Sequence, residues 1–339
     1  MLTRAAYDTL KHMNISNWKT ELQSTLGNPT ELLQFLDLSS EEIQLAKEGI
    51  SSFPVKVPAS YLSRINKLDP TDPLLLQVLP LAEEDTKNPD FSNDPLDELS
   101  KQSIPGLLHK YHGRVLLVTT GACAIHCRYC FRRHFPYTEE NPAQNNWDNA
   151  LNYIMEDTTL HEVILSGGDP LSLSDTKLAG LIDKLEEIPH LKRLRIHTRF
   201  PIVIPTRMTS ALISKLANSR LQTVMVIHSN HANELDDTVR DSLHKIRESG
   251  ITLLNQSVLL KAINDTPDRL VALSERLFEC GVLPYYLHML DPVQGASHFH
   301  VSDEKAKTLL DSINSRLPGY LVPRLVREIP GMPYKVSTY

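Results

Sequence analysis

The sequence lacks the features that would mark it as a membrane or secreted protein. None of its 339 residues belongs to an apolar run long enough to span a bilayer, and the opening stretch MLTRAAYDTLKHMN lacks the apolar core of a signal peptide. Only four residues are cysteines. We therefore expect a cytoplasmic protein with no membrane partner. In that compartment cysteines are ligands or core residues more often than disulfides.

An excess of positive charge is also missing. Lys and Arg number 35 against 41 Asp and Glu, which gives a formal net charge of -6 at pH 7. A protein held on nucleic acid by bulk electrostatics is usually basic, so direct nucleic-acid binding is disfavoured. One local basic cluster, at 128–134, leaves that alternative open.

What the sequence does contain is six short runs rich in Val, Ile and Leu, alternating with amphipathic helical stretches. The runs occupy 114–120, 162–168, 193–199, 222–229, 252–260 and 283–290. Strands alternating with helices at this spacing form a parallel sheet, and near-continuous apolar runs indicate strands covered on both faces. The pattern predicts an α/β fold, a partial (β/α)6 TIM-like barrel with an N-terminal helical region. A doubly wound open sheet is the alternative.

Four segments follow from this pattern. Residues 1–80 form the N-terminal helical region, in which Ser39 and Glu42 are suited to a capping box and Pro58 to a helix start. An ordered linker spans 81–113, the partial barrel spans 114–300, and a C-terminal segment spans 301–339.

Polar side chains gather at the carboxyl ends of the predicted strands, where barrel folds place their active sites. The first run leads into Cys123-Ala-Ile-His-Cys127-Arg-Tyr-Cys130, which places three thiols within eight residues. Thiolates are the usual ligands of iron–sulfur clusters, and three of them leave one iron open. A zinc site completed by His126 or His134, or three buried cysteines, is the alternative. Cys280 is expected to be a buried core residue.

The cysteine spacing resembles the signature of radical S-adenosylmethionine enzymes, and SGGDP at 166–170 resembles their second motif. The wider set of segments, from KYHGRVLLVTTGACAIHCRYCFRRHFPY to PYYLHMLDPVQGASHF, is similar to the lysine 2,3-aminomutase family. FRRHFPY, YLVPRLVREI and a chain that ends without the long C-terminal extension of the clostridial enzymes are most similar to the short bacterial branch that serves elongation factor P.

The resemblance implies three cofactors and assigns residues to each. A [4Fe-4S] cluster would lie on Cys123, Cys127 and Cys130. Pyridoxal 5'-phosphate would form a Schiff base with Lys335, which the resemblance makes the catalytic lysine. Arg114 and Tyr111 match positions that hold its phosphate and ring. The residues expected at S-adenosylmethionine are Gly167, Gly168, Asp169, His228 and Gln256.

The resemblance also implies the substrate. Arg132 would grip its carboxylate, and Asp291 with Glu328 would hold the ε-ammonium of L-lysine, because two buried acids need a cation. The implied reaction converts L-lysine to β-lysine, in the R form, for the synthetase that modifies elongation factor P. A flavodoxin or ferredoxin type protein would supply single electrons, and a homo-oligomer is compatible with the family.

Three alternatives stay open at this point. The first is an aminomutase for another amino acid, or one that forms β-lysine in catabolism. The second is a radical enzyme without pyridoxal phosphate, and the third is a non-catalytic iron–sulfur sensor that binds nucleic acid through its Arg-rich segment.

Overall fold

The computed structural model describes residues 17–39, 43–45, 53–137 and 147–338, without the side chains of 101–103. The capping box expected between Ser39 and Glu42 lies outside the described residues, because Glu42 is not among them. The helix expected after Pro58 is present as Ala59–Leu62.

Ten strands of the described chain form one sheet, and their spatial order is their order along the chain. The strands are β1 Gln102–Ile104, β2 Leu107–Tyr111, β3 Arg114–Thr120, β4 Glu162–Gly167, β5 Arg193–Thr198, β6 Gln222–Ile227, β7 Thr252–Val258, β8 Leu283–His288, β9 Arg324–Arg327 and β10 Val336–Ser337. β3 to β9 are parallel, while β1 and β2 at one edge and β10 at the other join antiparallel.

The described helices connect these strands or precede them. They are α1 Trp18–Gln23, α2 Pro29–Phe35, α3 Ala59–Leu62, α4 Asp148–Glu156, α5 Asp175–Glu186, α6 Phe200–Val203, α7 Ser210–Ala217, α8 Asp237–Glu248, α9 Pro267–Glu279 and α10 Asp303–Asn314. Each of the six strands β3 to β8 is followed by at least one helix before the next strand begins. The partial (β/α)6 barrel is therefore confirmed. A doubly wound sheet is excluded, because its strand order must reverse at a switch point.

Local sequence explains where these elements begin and which side they bury. Ser174 caps α5, because its side chain accepts a hydrogen bond from the Lys177 backbone N–H. Ser302 caps α10 in the same way by accepting one from the Lys305 backbone N–H. Every residue of β4 is buried. Such a strand is covered on both faces, by helices outside and by side chains within the barrel.

Strand register sets which side chains point into the barrel. Leu116 of β3 pairs with Ile164 of β4, which pairs with Arg195 of β5. All three line the interior cavity, and so do the residues two further along β4 and β5, Ser166 and His197. The period of two along a strand thus delivers alternate residues to the cavity.

One hydrophobic core joins the N-terminal region to the barrel. It runs from Trp18 and Leu79 to Val115 and Val282. The boundaries expected at 113 and 300 do not coincide with edges of the sheet, since β1 and β2 precede the first and β9 follows the second. The division into four segments therefore stays a prediction.

Candidate functional site

A cavity of about 650 Å³ opens at the carboxyl ends of the parallel strands. Every residue to which the sequence assigned a role lines this one space. They are Tyr111, Arg114, Cys123, Cys127, Cys130, Arg132, Gly167, Gly168, Asp169, His228, Gln256, Asp291, Glu328 and Lys335. The structure brings these residues together, and their individual roles stay predictions.

The loop that carries the three cysteines is fastened to the loop after β4. Gly168 N–H donates to the Thr120 carbonyl at 2.7 Å, and Asp169 N–H donates to the Ala122 carbonyl at 2.8 Å. A side chain at Gly168 would meet the backbone of Gly121 and Ala122. Glycine is therefore required at this position by the close approach of two backbones.

The chemistry of the three thiols fits a metal cluster. Burial, and then the neighbouring Cys130, raises the pKa of Cys123 well above that of a free thiol. Burial, and then Cys127, raises the pKa of Cys130 to about 11. Thiolates crowded in a buried site need a cationic partner, which the irons of a cluster provide.

The alternative of a zinc site completed by His126 or His134 gains no support from the described residues. His126 Nδ1 lies 2.7 Å from the Pro54 carbonyl oxygen, and His134 Nε2 lies 3.3 Å from that of Gln294. No three His, Cys, Asp or Glu side chains in the described part of the chain converge on one metal position. A single zinc ion needs such convergence, whereas a cubane asks each thiol to reach a different iron.

Buried polar atoms without partners also mark the cavity as a ligand site. His197 Nε2, His288 Nε2 and Arg199 Nε make no hydrogen bond within the described chain. Unpaired buried polar atoms are costly, so a polar ligand would satisfy them. Burial lowers the pKa values of both histidines, which keeps the rings neutral and able to accept as well as donate.

The residues expected at S-adenosylmethionine divide into two groups. Asp169 accepts hydrogen bonds from Leu171 N–H, Arg199 N–H and the Thr198 hydroxyl, so it fastens two loops together. Gln256 Nε2 and His228 Nε2 lie 3.0 Å apart. Burial, and then the charge of Arg199, lowers the pKa of His228 to about 3, so the ring is neutral.

An alternating chain of charges crosses the cavity from Arg132 to Lys335. Arg132 binds Glu98 with Nε at 2.7 Å and Nη2 at 2.9 Å, and Lys110 lies 3.3 Å from Glu98. Lys110 also lies 3.1 Å from Glu328, whose second oxygen lies 2.5 Å from Lys335 Nζ. Two of the three residues expected to bind substrate, Arg132 and Glu328, are thus paired within the protein.

Asp291 stands apart from this chain of ion pairs. It lies half-buried in the cavity wall, and none of the described residues forms a hydrogen bond or salt bridge with its carboxyl group. Burial, and then the charge of Glu328, raises the pKa of Asp291 to about 7. Glu328 behaves in the opposite way. Burial alone would raise its pKa, but Lys335 and Lys110 lower it to about 2.

Arg114 and Tyr111 form a pair near Glu328. The guanidinium carbon of Arg114 lies 4.7 Å from the centre of the Tyr111 ring, and the guanidinium makes no hydrogen bond to any described residue. Burial, and then the charge of Glu328, raises the pKa of Tyr111. A free guanidinium beside a neutral phenol suits an anionic ligand with an aromatic ring.

The Arg-rich segment that follows β3 is not exposed at the protein surface. Arg128, Arg132 and Arg133 are all buried, and each pairs with a glutamate, Glu84 or Glu98. A nucleic acid held by phosphate contacts needs exposed cations. The alternative of nucleic-acid binding through this segment is therefore wrong.

Sequence reasoning missed Glu98 and Lys110. Glu98 lies in a Pro- and Asp-rich stretch where nothing distinguishes it from its neighbours. For Lys110 the alternation along the strand was informative, because Lys110 lies on the same face of β2 as Leu108, and both residues line the cavity. Recognising 107–111 as a strand would have placed the lysine inside.

The partial barrel and its three-cysteine loop define a class, the radical S-adenosylmethionine enzymes, and the model of the radical SAM superfamily matches residues 117–274. The L-lysine 2,3-aminomutase of Escherichia coli (strain K12) is 50% identical over 328 residues, covering 96% of each chain. That of Haemophilus influenzae is 48% identical and covers 94% of each. That of Clostridium subterminale is 33% identical, covering 93% of this chain and 76% of its own. The chain belongs to the lysine 2,3-aminomutase family.

Membership shows that the protein is an isomerase of the radical S-adenosylmethionine type. The family implies a [4Fe-4S] cluster, S-adenosylmethionine and pyridoxal 5'-phosphate. Among solved structures, Streptococcus suis SuiB bound to S-adenosylmethionine is 16% identical with a TM-score of 0.48, covering 69% of this chain and 54% of its own. No described helix is both long and apolar enough to cross a membrane.

Proposed function

We propose that this protein is an L-lysine 2,3-aminomutase that forms (R)-β-lysine. The observation that carries the proposal is the content of one cavity, which holds three thiols, the amino group of Lys335, a paired Arg132 and the unpaired carboxyl group of Asp291. Radical generation, amino-group handling and lysine recognition would therefore share a single space.

Cys123, Cys127 and Cys130 would hold the [4Fe-4S] cluster, and the Gly167–Gly168 loop would leave room beside its open iron. When reduced, the cluster supplies the electron that releases a 5'-deoxyadenosyl radical from S-adenosylmethionine. The neutral His228–Gln256 pair offers hydrogen-bonding groups to that cofactor. The barrel walls exclude the water and solutes that would quench a primary carbon radical.

Lys335 would bind pyridoxal phosphate, with Arg114 at its phosphate and Tyr111 at its ring. When bound, the cofactor supplies a π-system that stabilises the radical while the amino group moves from C2 to C3. The α-amino group of the substrate would take the place of Lys335 on the cofactor, which returns Lys335 as a free amine. Glu328 pairs with Lys110 and Lys335 and lies beside the place where the substrate would bind.

Lysine itself would lie between Arg132 and the acid pair. Its ε-ammonium would meet Asp291 and Glu328, and its carboxylate would meet Arg132 in exchange for Glu98. Such an exchange keeps every buried charge paired, which a low-dielectric site requires. An uncharged side chain would leave Asp291 without a partner, so the site favours lysine.

We also propose the biological setting. The branch resemblance in FRRHFPY and YLVPRLVREI supports a supply of β-lysine to the synthetase that modifies elongation factor P, in the cytoplasm. The chain covers 96% of the E. coli relative but only 76% of the clostridial one, which supports membership of a short branch of the family. A flavodoxin or ferredoxin would donate the electron, and the protein would work alone or as a homo-oligomer.

The first test is anaerobic reconstitution with iron, sulfide, S-adenosylmethionine, pyridoxal phosphate, dithionite and L-lysine, followed by chiral analysis of the product. We expect (R)-β-lysine. An S product would overturn the stereochemistry, and conversion of arginine or glutamate in place of lysine would overturn the substrate.

The second test concerns Lys335. Lys335→Ala should abolish the visible absorbance of bound pyridoxal phosphate and the formation of β-lysine. Lys307→Ala, which changes an exposed lysine on α10, is the control and should alter neither. Cofactor absorbance that persists at wild-type level in Lys335→Ala would contradict the assignment of this lysine.

A further inference from the structure

Arg199 is a buried cation in direct contact with one of the three cysteines. It comes directly after β5, is 7% exposed, and its Nη1 lies 2.6 Å from Cys127 Sγ. Its Nε is buried and makes no hydrogen bond within the described chain, so the guanidinium has a further donor to offer in the cavity.

The surrounding side chains fix this guanidinium in place. Its Nη2 donates to Gln77 Oε1 at 2.7 Å and to Glu234 Oε2 at 2.8 Å. The rings of Tyr61 and Tyr129 lie 5.5 and 5.8 Å from its central carbon. A planar group held by two acceptors and two rings has little freedom to leave the sulfur.

Glu234 is itself completely buried and fully engaged. Its Oε1 accepts hydrogen bonds from Asn230 N–H at 2.8 Å and His231 N–H at 3.0 Å. The Arg199–Glu234 pair is therefore a built charge arrangement next to Cys127. No role follows for Glu234 from the sequence, and the proposed reaction does not use it.

We propose that Arg199 is a positioning residue for the iron–sulfur cluster, which holds Cys127 Sγ and raises the reduction potential, and that Glu234 limits how much of its positive charge acts on the cluster. This inference rests on the proposed assignment of the cluster to the three cysteines. Hydrogen bonds to the sulfurs and the net charge around a cluster set its reduction potential. A cation next to a ligand sulfur stabilises the reduced, more negative cluster.

Substitutions of these two residues should shift the midpoint potential of the cluster in opposite directions. Arg199→Gln removes the charge and should lower the midpoint potential. Glu234→Gln leaves the arginine charge unbalanced and should raise it. We expect each change to alter the ratio of reduced to oxidised cluster by about tenfold at a fixed potential, which is about 59 mV for a one-electron couple.

The experiment is an anaerobic redox titration of reconstituted protein without S-adenosylmethionine, followed by the electron paramagnetic resonance signal of the reduced cluster. Arg207→Gln is the matched control, because Arg207 is also fully buried but binds the Leu171 and Leu173 carbonyls and Asp175 instead of a cysteine. Arg199→Lys, which keeps the charge, should restore much of the lost potential.

Opposite shifts in the two glutamine variants, with an unchanged control, would support the inference. Shifts of the same sign, no shift, or an equal shift in Arg207→Gln would overturn it. If Arg199→Gln does not fold, the sign of the Glu234→Gln shift decides alone. A wild-type protein that takes up no cluster would overturn the proposed function as well, whereas a normal cluster with unmoved potentials would remove only this inference.

Discussion

Two acidic side chains in the same cavity have pKa values displaced in opposite directions. Glu328 accepts from two lysines and its pKa falls to about 2, while Asp291, which has no such partner, has its pKa raised to about 7. The difference follows from pairing, because burial by itself raises both pKa values and only Glu328 forms ion pairs with lysines. Of the two, Asp291 is the one whose ionisation an arriving ammonium group would change most.

This displacement predicts how lysine use depends on pH. Below pH 7 the free enzyme holds Asp291 protonated, and binding a cation must then expel a proton. We expect kcat/KM for lysine to fall as pH drops through about 7, approaching a tenfold loss per pH unit, and to level off above it.

Asp291→Asn tests whether Asp291 causes this fall of kcat/KM at low pH, called here the acidic limb of the pH profile. It should remove the pH dependence near 7 and lower kcat/KM at pH 8 by roughly 30-fold or more, since losing one partner of a buried charge pair costs about 2–5 kcal/mol. A profile that keeps the same limb in Asp291→Asn would assign the titration to another group.

At the scale of elements, the loop after β4 shapes the cysteine loop after β3. Gly167 has a φ of +123°, in the region that favours glycine, and a side chain at Gly168 would press on the backbone that leads into Cys123. The parallel pairing of β3 with β4 brings these two loops to the same edge. The glycine pair therefore acts on the cluster site through backbone contact.

Gly168→Ala should displace the cysteine loop and reduce the iron retained after anaerobic reconstitution to well under half of the wild-type value. Gly180→Ala is the control, because Gly180 lies inside α5 with nothing near its added methyl group. That change should keep the cluster and stabilise the protein by roughly 0.5–1 kcal/mol. Equal iron contents in the two variants would contradict the prediction.

At the scale of the whole molecule, one carboxylate ties the linker that precedes the barrel to the cysteine loop. Glu84 accepts from Arg128 Nε at 2.7 Å and from Arg133 Nη2 at 2.8 Å, and all three side chains are buried. These arginines lie on either side of Cys130, so residues far apart in the chain meet at the cluster site. The hydrophobic core, which includes residues from Trp18 to Val282, also packs these distant segments against each other.

Glu84→Ala should destabilise the fold by about 3–5 kcal/mol, because it leaves two buried guanidinium groups without their anion. The measurement is urea unfolding of the cluster-free protein. Glu83→Ala changes the exposed neighbour in the same short 3₁₀ turn and should cost little. A similar decrease in the free energy of unfolding in both variants would mean that the buried ion pairs of Glu84 do not stabilise this contact.

The sequence by itself determined the chain-local features. Strand runs such as 162–168 correspond to observed strands, here Glu162–Gly167, because period and apolar content depend on neighbours along the chain. Cys123, Cys127 and Cys130 could be grouped for the same reason, since eight consecutive residues after a strand must stay together. The partial barrel followed from the alternation of strands and helices, and the chemistry at strand ends followed from the barrel.

Only the tertiary structure decided which charges meet. The contacts of Glu98 with Arg132, of Lys110 with Glu328 and of Glu234 with Arg199 all join residues more than 30 positions apart. It also turned the Arg-rich segment from a candidate surface into buried ion pairs. The physical reason is that burial and pairing depend on the packing of distant segments, and these two quantities set the charge state of Asp291 and the environment of the cysteines.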